Sequence, residues 1–187
     1  TGMIVVRSQS LPIPPLPLPP ETTQLIRTPS GLITLPNTAI ALIGSKVNIE
    51  NNGSLFSLGG VIELGGVRNG EVALIPNGNK FGLSYTEVIK FGNVQLSGNA
   101  SVNNVGLTEG DIKIVGDRVS LFDRGLVLTG SLGNLFSGKI LVQASQLIEL
   151  VGSNNYAETV LKLSSLTPLA ICLASFLPLT VLDIIVF

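Results

Sequence analysis

From Leu32 to about Leu163 one pattern recurs along the chain: an apolar residue, a variable one, a second apolar one, then Gly, Asn or Ser. Val47 and Ile49 flank Asn48, Ile62 and Leu64 flank Glu63, and Val72 and Leu74 flank Ala73. Val94 and Leu96 flank Gln95, Ile112 and Ile114 flank Lys113, Val119 and Leu121 flank Ser120, and Ile148 and Leu150 flank Glu149. Side chains alternate faces along a β-strand, so each triplet sends two side chains to one face and one to the other. Five of the seven central residues are charged or carry an amide, which marks their face as the solvated one. The predicted inward set is Val47, Ile49, Ile62, Leu64, Val94, Leu96, Ile112, Ile114, Val119, Leu121, Ile140, Val142, Ile148 and Leu150.

The triplets also echo at longer range. "GDIKIVGDRVSLFDRG" from Gly110 resembles "GKILVQASQLIELVGS" from Gly138, with Ile112 recurring as Ile140 after 28 residues and Val119 as Ile148 after 29. A repeat in the twenties made of short strands points to a solenoid in which each strand lies beside its counterpart one coil later. The expected fold is therefore all-β, a right-handed parallel β-helix of about five coils, its hand following the rule for parallel connections. In such a coil the chain turns sharply every few residues, and glycine supplies the positive φ that sharp corners need. Gly59-Gly60 and Gly65-Gly66, which bracket "VIEL", are expected to be two such corners. A β-sandwich is the rival, but it prefers longer strands and hairpins at roughly 8–12-residue spacing, and it leaves the 28-residue echo unexplained.

Four segments follow. Residues 1–10 read as an N-terminal strand of the solenoid. Residues 11–31 read as a proline-rich loop: six prolines lie between Pro12 and Pro20, none able to donate to a ladder. A polyproline ligand would need a basic residue beside the run, and Arg7 is too far upstream while Glu21 follows it. Residues 32–163 read as the β-helix itself. Residues 164–187 are an apolar tail in which Leu166 to Phe187 carry one charge, Asp183, and are interrupted by Pro168 and Pro178. Three readings of the tail stay open: a membrane anchor, a cap over the end of the solenoid, or an aberrant sequence.

Composition narrows the function. Charged residues make up 12% of the chain and the net charge is −1, which gives no electrostatic case for nucleic acid. Histidine is absent, so nucleophile–His–acid triads are excluded, and no Gly-Lys-Ser/Thr follows a glycine loop. Cys172 is the one cysteine; its apolar context predicts an inert thiol. The first ten residues show no basic region ahead of an apolar core, so no signal peptide is read there; whether the chain is a fragment, with any signal upstream of Thr1, stays open. The best carboxylates for catalysis are Asp111, Asp117 and Asp123, spaced by six, with Arg118 and Arg124 beside two of them. That spacing suits successive corners better than one face, and turns favour Asp for local reasons. No catalytic, cofactor or metal residue is therefore expected.

"IALIGSKVNIENNGSLFSLGGVIELGGVRNGEVAL", Ile40 to Leu74, resembles the segment that follows the secretion domain in filamentous haemagglutinin-like exoproteins of bacterial two-partner secretion. "GMIVVRSQ", "NVQLSGNASVN" and "GDIKIVGDRVSLFDRG" continue the likeness, which spans roughly Gly2 to Gly152. It departs where Val61 stands in place of the usual Arg, where the Asn-Pro-Asn-Gly type motifs of the secretion domain are missing, and where the apolar tail replaces further polar coils. The resemblance implies a right-handed parallel β-helix, secreted or held at the outer cell surface, with an outer-membrane secretion pore as partner. It implies a structural or adhesive role, with a surface carbohydrate or other cell-surface ligand; the low charge separately predicts no nucleic acid, and the apolar tail leaves membrane contact open. The alternative is a polysaccharide-active β-helix enzyme, which would need a carboxylate pair converging on one groove.

Overall fold

A computed structural model of the chain describes residues 2–8, 31–77, 80–108, 110–131, 138–151, 160–165 and 182–186. Every regular element among them is a β-strand, so the chain is all-β as expected. In order these are β1 (Met3–Arg7), β2 (Gly31–Ile33), β3 (Ala39–Gly44), β4 (Lys46–Glu50), β5 (Ser54–Ser57), β6 (Val61–Gly70), β7 (Ala73–Asn77) and β8 (Lys80–Ser84). Then come β9 (Val88–Phe91), β10 (Asn93–Leu96), β11 (Ser101–Gly106), β12 (Asp111–Leu121), β13 (Leu126–Ser131), β14 (Ile140–Leu150), β15 (Val160–Ser165) and β16 (Leu182–Val186). Cys172 and the prolines from Pro12 to Pro20 lie outside the described residues, and so does most of the apolar tail, of which β16 is described.

The strands pair into three parallel ladders. One brings together β1, β4, β10 and the second halves of β12 and β14, aligning Ile4, Val47, Val94, Val119 and Ile148. A second joins β2, β5, β11, β13 and β15, aligning Leu32, Leu55, Val102, Val127 and Leu161. The third joins β3, the first halves of β6, β12 and β14, and β16, aligning Ile40, Ile62, Ile112, Ile140 and Leu182. Along the chain each ladder is visited in turn and then revisited. The echo in the sequence is this register: Ile112 lies beside Ile140 and Val119 beside Ile148, and the extra residue falls where the register shifts between Gly116 and Arg118.

The core forms because the ladder positions are aliphatic on one side. Twelve of the fourteen predicted inward residues are buried, none more than 1% exposed. Ile148 only packs against the edge of that core, and Leu150 is 46% exposed. Both sit on the last strand of their ladder, where no further strand is described to seal them.

Three other expectations are corrected. Gly65 and Gly66 are not a corner: they lie inside the ten-residue β6, and only Gly59 of the two flanking pairs has a positive φ, at 82°. What keeps them side-chain-free is close approach, since a Cβ at Gly65 would come within 2.8 Å of the Tyr85 ring and one at Gly66 would strike the backbone of Gly92. Val72 to Leu74 is not a coil strand. After Gly66 the chain leaves the ladder, β6 pairs antiparallel with β9, and β7 and β8 form an antiparallel hairpin, so Leu74 points outward and is 67% exposed. Finally, Gly31 belongs to β2 rather than to the proline-rich loop.

The corners between the first and second ladders place mostly non-glycine residues at positive φ. Between β4 and β5, Asn51 and Asn52 have positive φ; between β10 and β11, Gly98 and Asn99 do; between β12 and β13, Asp123 and Arg124 do. These pairs stack level on level, with the Asn52 amide donating to Gly98 O at 2.7 Å and the Asn99 amide donating to Asp123 O at 2.9 Å. Asn and Asp tolerate the left-handed region through local side-chain hydrogen bonding, which is why they recur there.

Candidate functional site

The hairpin returns over the outer face of the third ladder, and its docking overturns the expectation that Glu63 and Lys113 are solvated. They are neighbours in register on β6 and β12. Glu63 is 3% exposed and Lys113 is half-buried. Oε1 of Glu63 accepts the Leu83 amide at 3.0 Å, while Nζ of Lys113 donates to the Leu83 carbonyl at 2.9 Å. One peptide residue of the hairpin is thus held at both of its polar groups. Nζ of Lys113 also stands 3.7 Å from Oε2 of Glu63 and 4.8 Å from the centre of the Tyr85 ring, an ion pair and a cation–π contact rather than further hydrogen bonds.

Two polar atoms in this cluster stay unsatisfied. Oε2 of Glu63 and the Tyr85 hydroxyl are both buried without a hydrogen-bond partner, although they lie near enough to act on each other's ionisation. Burial pushes the Glu63 carboxyl above its ordinary value of 4.5, against the opposing pull of Lys113 and the Leu83 amide. Burial and the neighbouring Glu63 carboxylate push the Tyr85 hydroxyl up, so it stays protonated. Beside the cluster an open cleft of about 350 Å³ runs between the hairpin and the ladder, lined among others by Glu63, Phe81, Asp111, Lys113 and Lys139.

The carboxylates picked out from the sequence do not converge. Oδ1 of Asp111 accepts the Lys139 amide at 2.8 Å, tying β12 to the start of β14. Oδ1 of Asp117 accepts the Ser145 hydroxyl at 2.7 Å, across the bulge between the same two strands. Asp123 is a corner residue with φ of 47°, and Arg124 beside it has φ of 66° and donates to Asn99 at 3.4 Å. Arg118 is exposed on β12. Each aspartate has a structural task of its own. Among the described residues no group of three His, Cys, Asp or Glu side chains is placed to hold a metal ion.

Sequence reasoning missed two further features. Asn104, inside β11, is fully buried; its Oδ1 accepts the Gly59 amide at 3.2 Å and its Nδ2 donates to Gly60 O and Asp111 O, each at 3.0 Å, bridging toward the corner into β12. It aligns with Ser57, whose hydroxyl accepts the Gly60 amide, and with Thr129, whose hydroxyl donates to Gly110 O. The signal was present, since Asn104 has the same inward parity as Val102. Asn48, expected on the solvated face, is buried between Val5 and Gln95 with its Oδ1 unpaired; nothing in the structure explains that unpaired atom. Comparison with protein-family models, with curated proteins and with solved structures gave no match to the chain.

Proposed function

We propose that the chain is a segment of a secreted or surface-held exoprotein, a right-handed parallel β-helix with a structural and adhesive role rather than a catalytic one. The observation that carries this reading is the set of three parallel ladders, in register except for the bulge between Gly116 and Arg118, each visited in turn along the chain. Such stacking builds flat, repeating outer faces, which suit contact with an extended partner. The hand follows from the near-universal chirality of parallel crossovers. The likeness to filamentous haemagglutinin-like exoproteins supports the same role and adds an outer-membrane secretion pore as the export partner and a cell-surface carbohydrate as a ligand class. The apolar tail fits a cap, because β16 adds a parallel strand to the third ladder.

Beads coated with the purified chain, passed over glycan-coated and cell-coated surfaces, test this together with an assay for reducing ends released from pectin and glucans, with and without calcium. Retention without turnover is expected. Turnover that disappears in Asp117→Asn would replace the adhesive reading with the enzymatic one.

A further inference from the structure

We propose that the cleft beneath the hairpin is a binding site for an uncharged saccharide unit, with Phe81 as the stacking platform and Asp111 as the acceptor of its hydroxyl protons. The proposal rests on the adhesive reading above and places its ligand contact in one location.

Charge is the first consideration. The lining holds two carboxylates, Glu63 and Asp111, and two ammonium groups, Lys113 and Lys139, so the signs cancel. A phosphate, sulfate or carboxylate ligand is best served by cations alone, and a cationic one by carboxylates alone. Interleaved signs favour a neutral molecule that both donates and accepts hydrogen bonds at several points. The second consideration is Asp111, an exposed carboxylate in the lining whose Oδ1 accepts the Lys139 amide. A carboxylate has lone pairs beyond that one bond, and these are open to a hydroxyl that enters the cleft. The third is Phe81, a half-buried ring in the lining, next to Gly82, whose missing side chain keeps the adjacent wall low. A pyranose ring offers an apolar face to such a platform and hydroxyls around its rim. At about 350 Å³ the cleft is at the small end of ligand sites, which suits one or two sugar units rather than a long chain.

The test is saturation-transfer NMR and titration calorimetry on the full chain. Cellobiose, lactose and N,N′-diacetylchitobiose are the neutral probes, and a sulfated heparin disaccharide is the anionic one. The expected result is binding of a neutral disaccharide with Kd of about 1 mM and saturation of its ring protons from Phe81. Phe81→Leu, which keeps the apolar packing and removes the ring, should weaken binding about tenfold, and Phe81→Tyr should hold it within about threefold. An unchanged Leu83 amide shift in both variants shows that the hairpin is still docked. Binding of no neutral probe, equal binding by Phe81→Leu, or binding of the sulfated disaccharide alone with loss in high salt would each overturn the site. None of those outcomes touches the bead-retention result, so failure here leaves the adhesive reading to stand or fall separately.

Discussion

Along the ladders Ile62, Leu64, Ile112, Ile114, Ile140 and Val142 are sealed between levels, whereas in the excursion from Val67 to Phe91 Leu74 and Ile89 are 67% and 79% exposed. Both regions are built of β-branched and aliphatic residues with short polar spacers. The difference is what lies on the two sides of each strand. An inner ladder strand has a parallel neighbour above and below and a shared apolar interior, so its aliphatic face is covered by its own repeat. β7 and β8 pair only with each other, and an isolated two-stranded ribbon has little stability of its own. The hairpin is therefore held by what it touches on the ladder: Leu83 is buried, and its backbone is gripped by Glu63 and Lys113. Repetition supplies order in the first region, and a few specific polar contacts supply it in the second.

The sharpest way to break that contrast is inside the ladders. Ile114→Ala should lower stability by about 2–5 kcal/mol in a urea titration, through lost burial and the cavity left between levels. Asn104→Ala strikes the polar corner instead; it leaves the Gly59 amide and the Gly60 and Asp111 carbonyls short of a partner and should cost about 1–3 kcal/mol in the same measurement. A smaller effect is expected at the hairpin contact, where it shows as pH dependence. Burial raises the Glu63 carboxyl above 4.5, so the folded state binds its proton more tightly than the unfolded chain does. Its contribution to stability is full below about 4.5 and is lost as pH rises through the raised value. The native chain should accordingly gain stability between pH 7 and pH 5, and Glu63→Gln, which keeps the acceptor for Leu83, should flatten that gain. If both proteins show the same pH profile, the Glu63 account fails. The smallest change belongs to the exposed face of the excursion: Leu74→Ser and Ile89→Ser should each move stability by no more than about 0.5 kcal/mol.

The ladder interior was legible in the sequence because period-two alternation and the 28-residue echo are both local or repeated signals. The site was not. Glu63 carries the pattern of a solvated strand residue, and what covers it is Leu83, twenty positions later, through an antiparallel excursion that breaks the repeat. Gly65 and Gly66 looked like corner residues because glycine's permissive φ and its lack of bulk leave the same mark in a sequence; here the second reason applies. Asp123 shows the reverse, a candidate acid whose position is set by the backbone of a corner. Ile148 and Leu150 satisfy the alternation, yet alternation does not reveal that no further described strand lies beside them.

The unequal spacing of the levels has a mechanical consequence. Val94 to Val119 and Val102 to Val127 are steps of 25 residues, whereas Val47 to Val94 spans 47 because the excursion is threaded into that level. Tension applied at the chain ends loads a parallel stack one rung at a time, so it peels rather than shears. Each short rung would release about 25 residues, roughly 80–90 Å of extended chain, and the rung carrying the hairpin about 47 residues, roughly 155–170 Å. A force–extension trace would then read the molecule like a ruler with unequal divisions, wide where the hairpin enters the stack and wide again at the steps from Ile4 to Val47 and from Ile140 to Leu182, which span 43 and 42 residues.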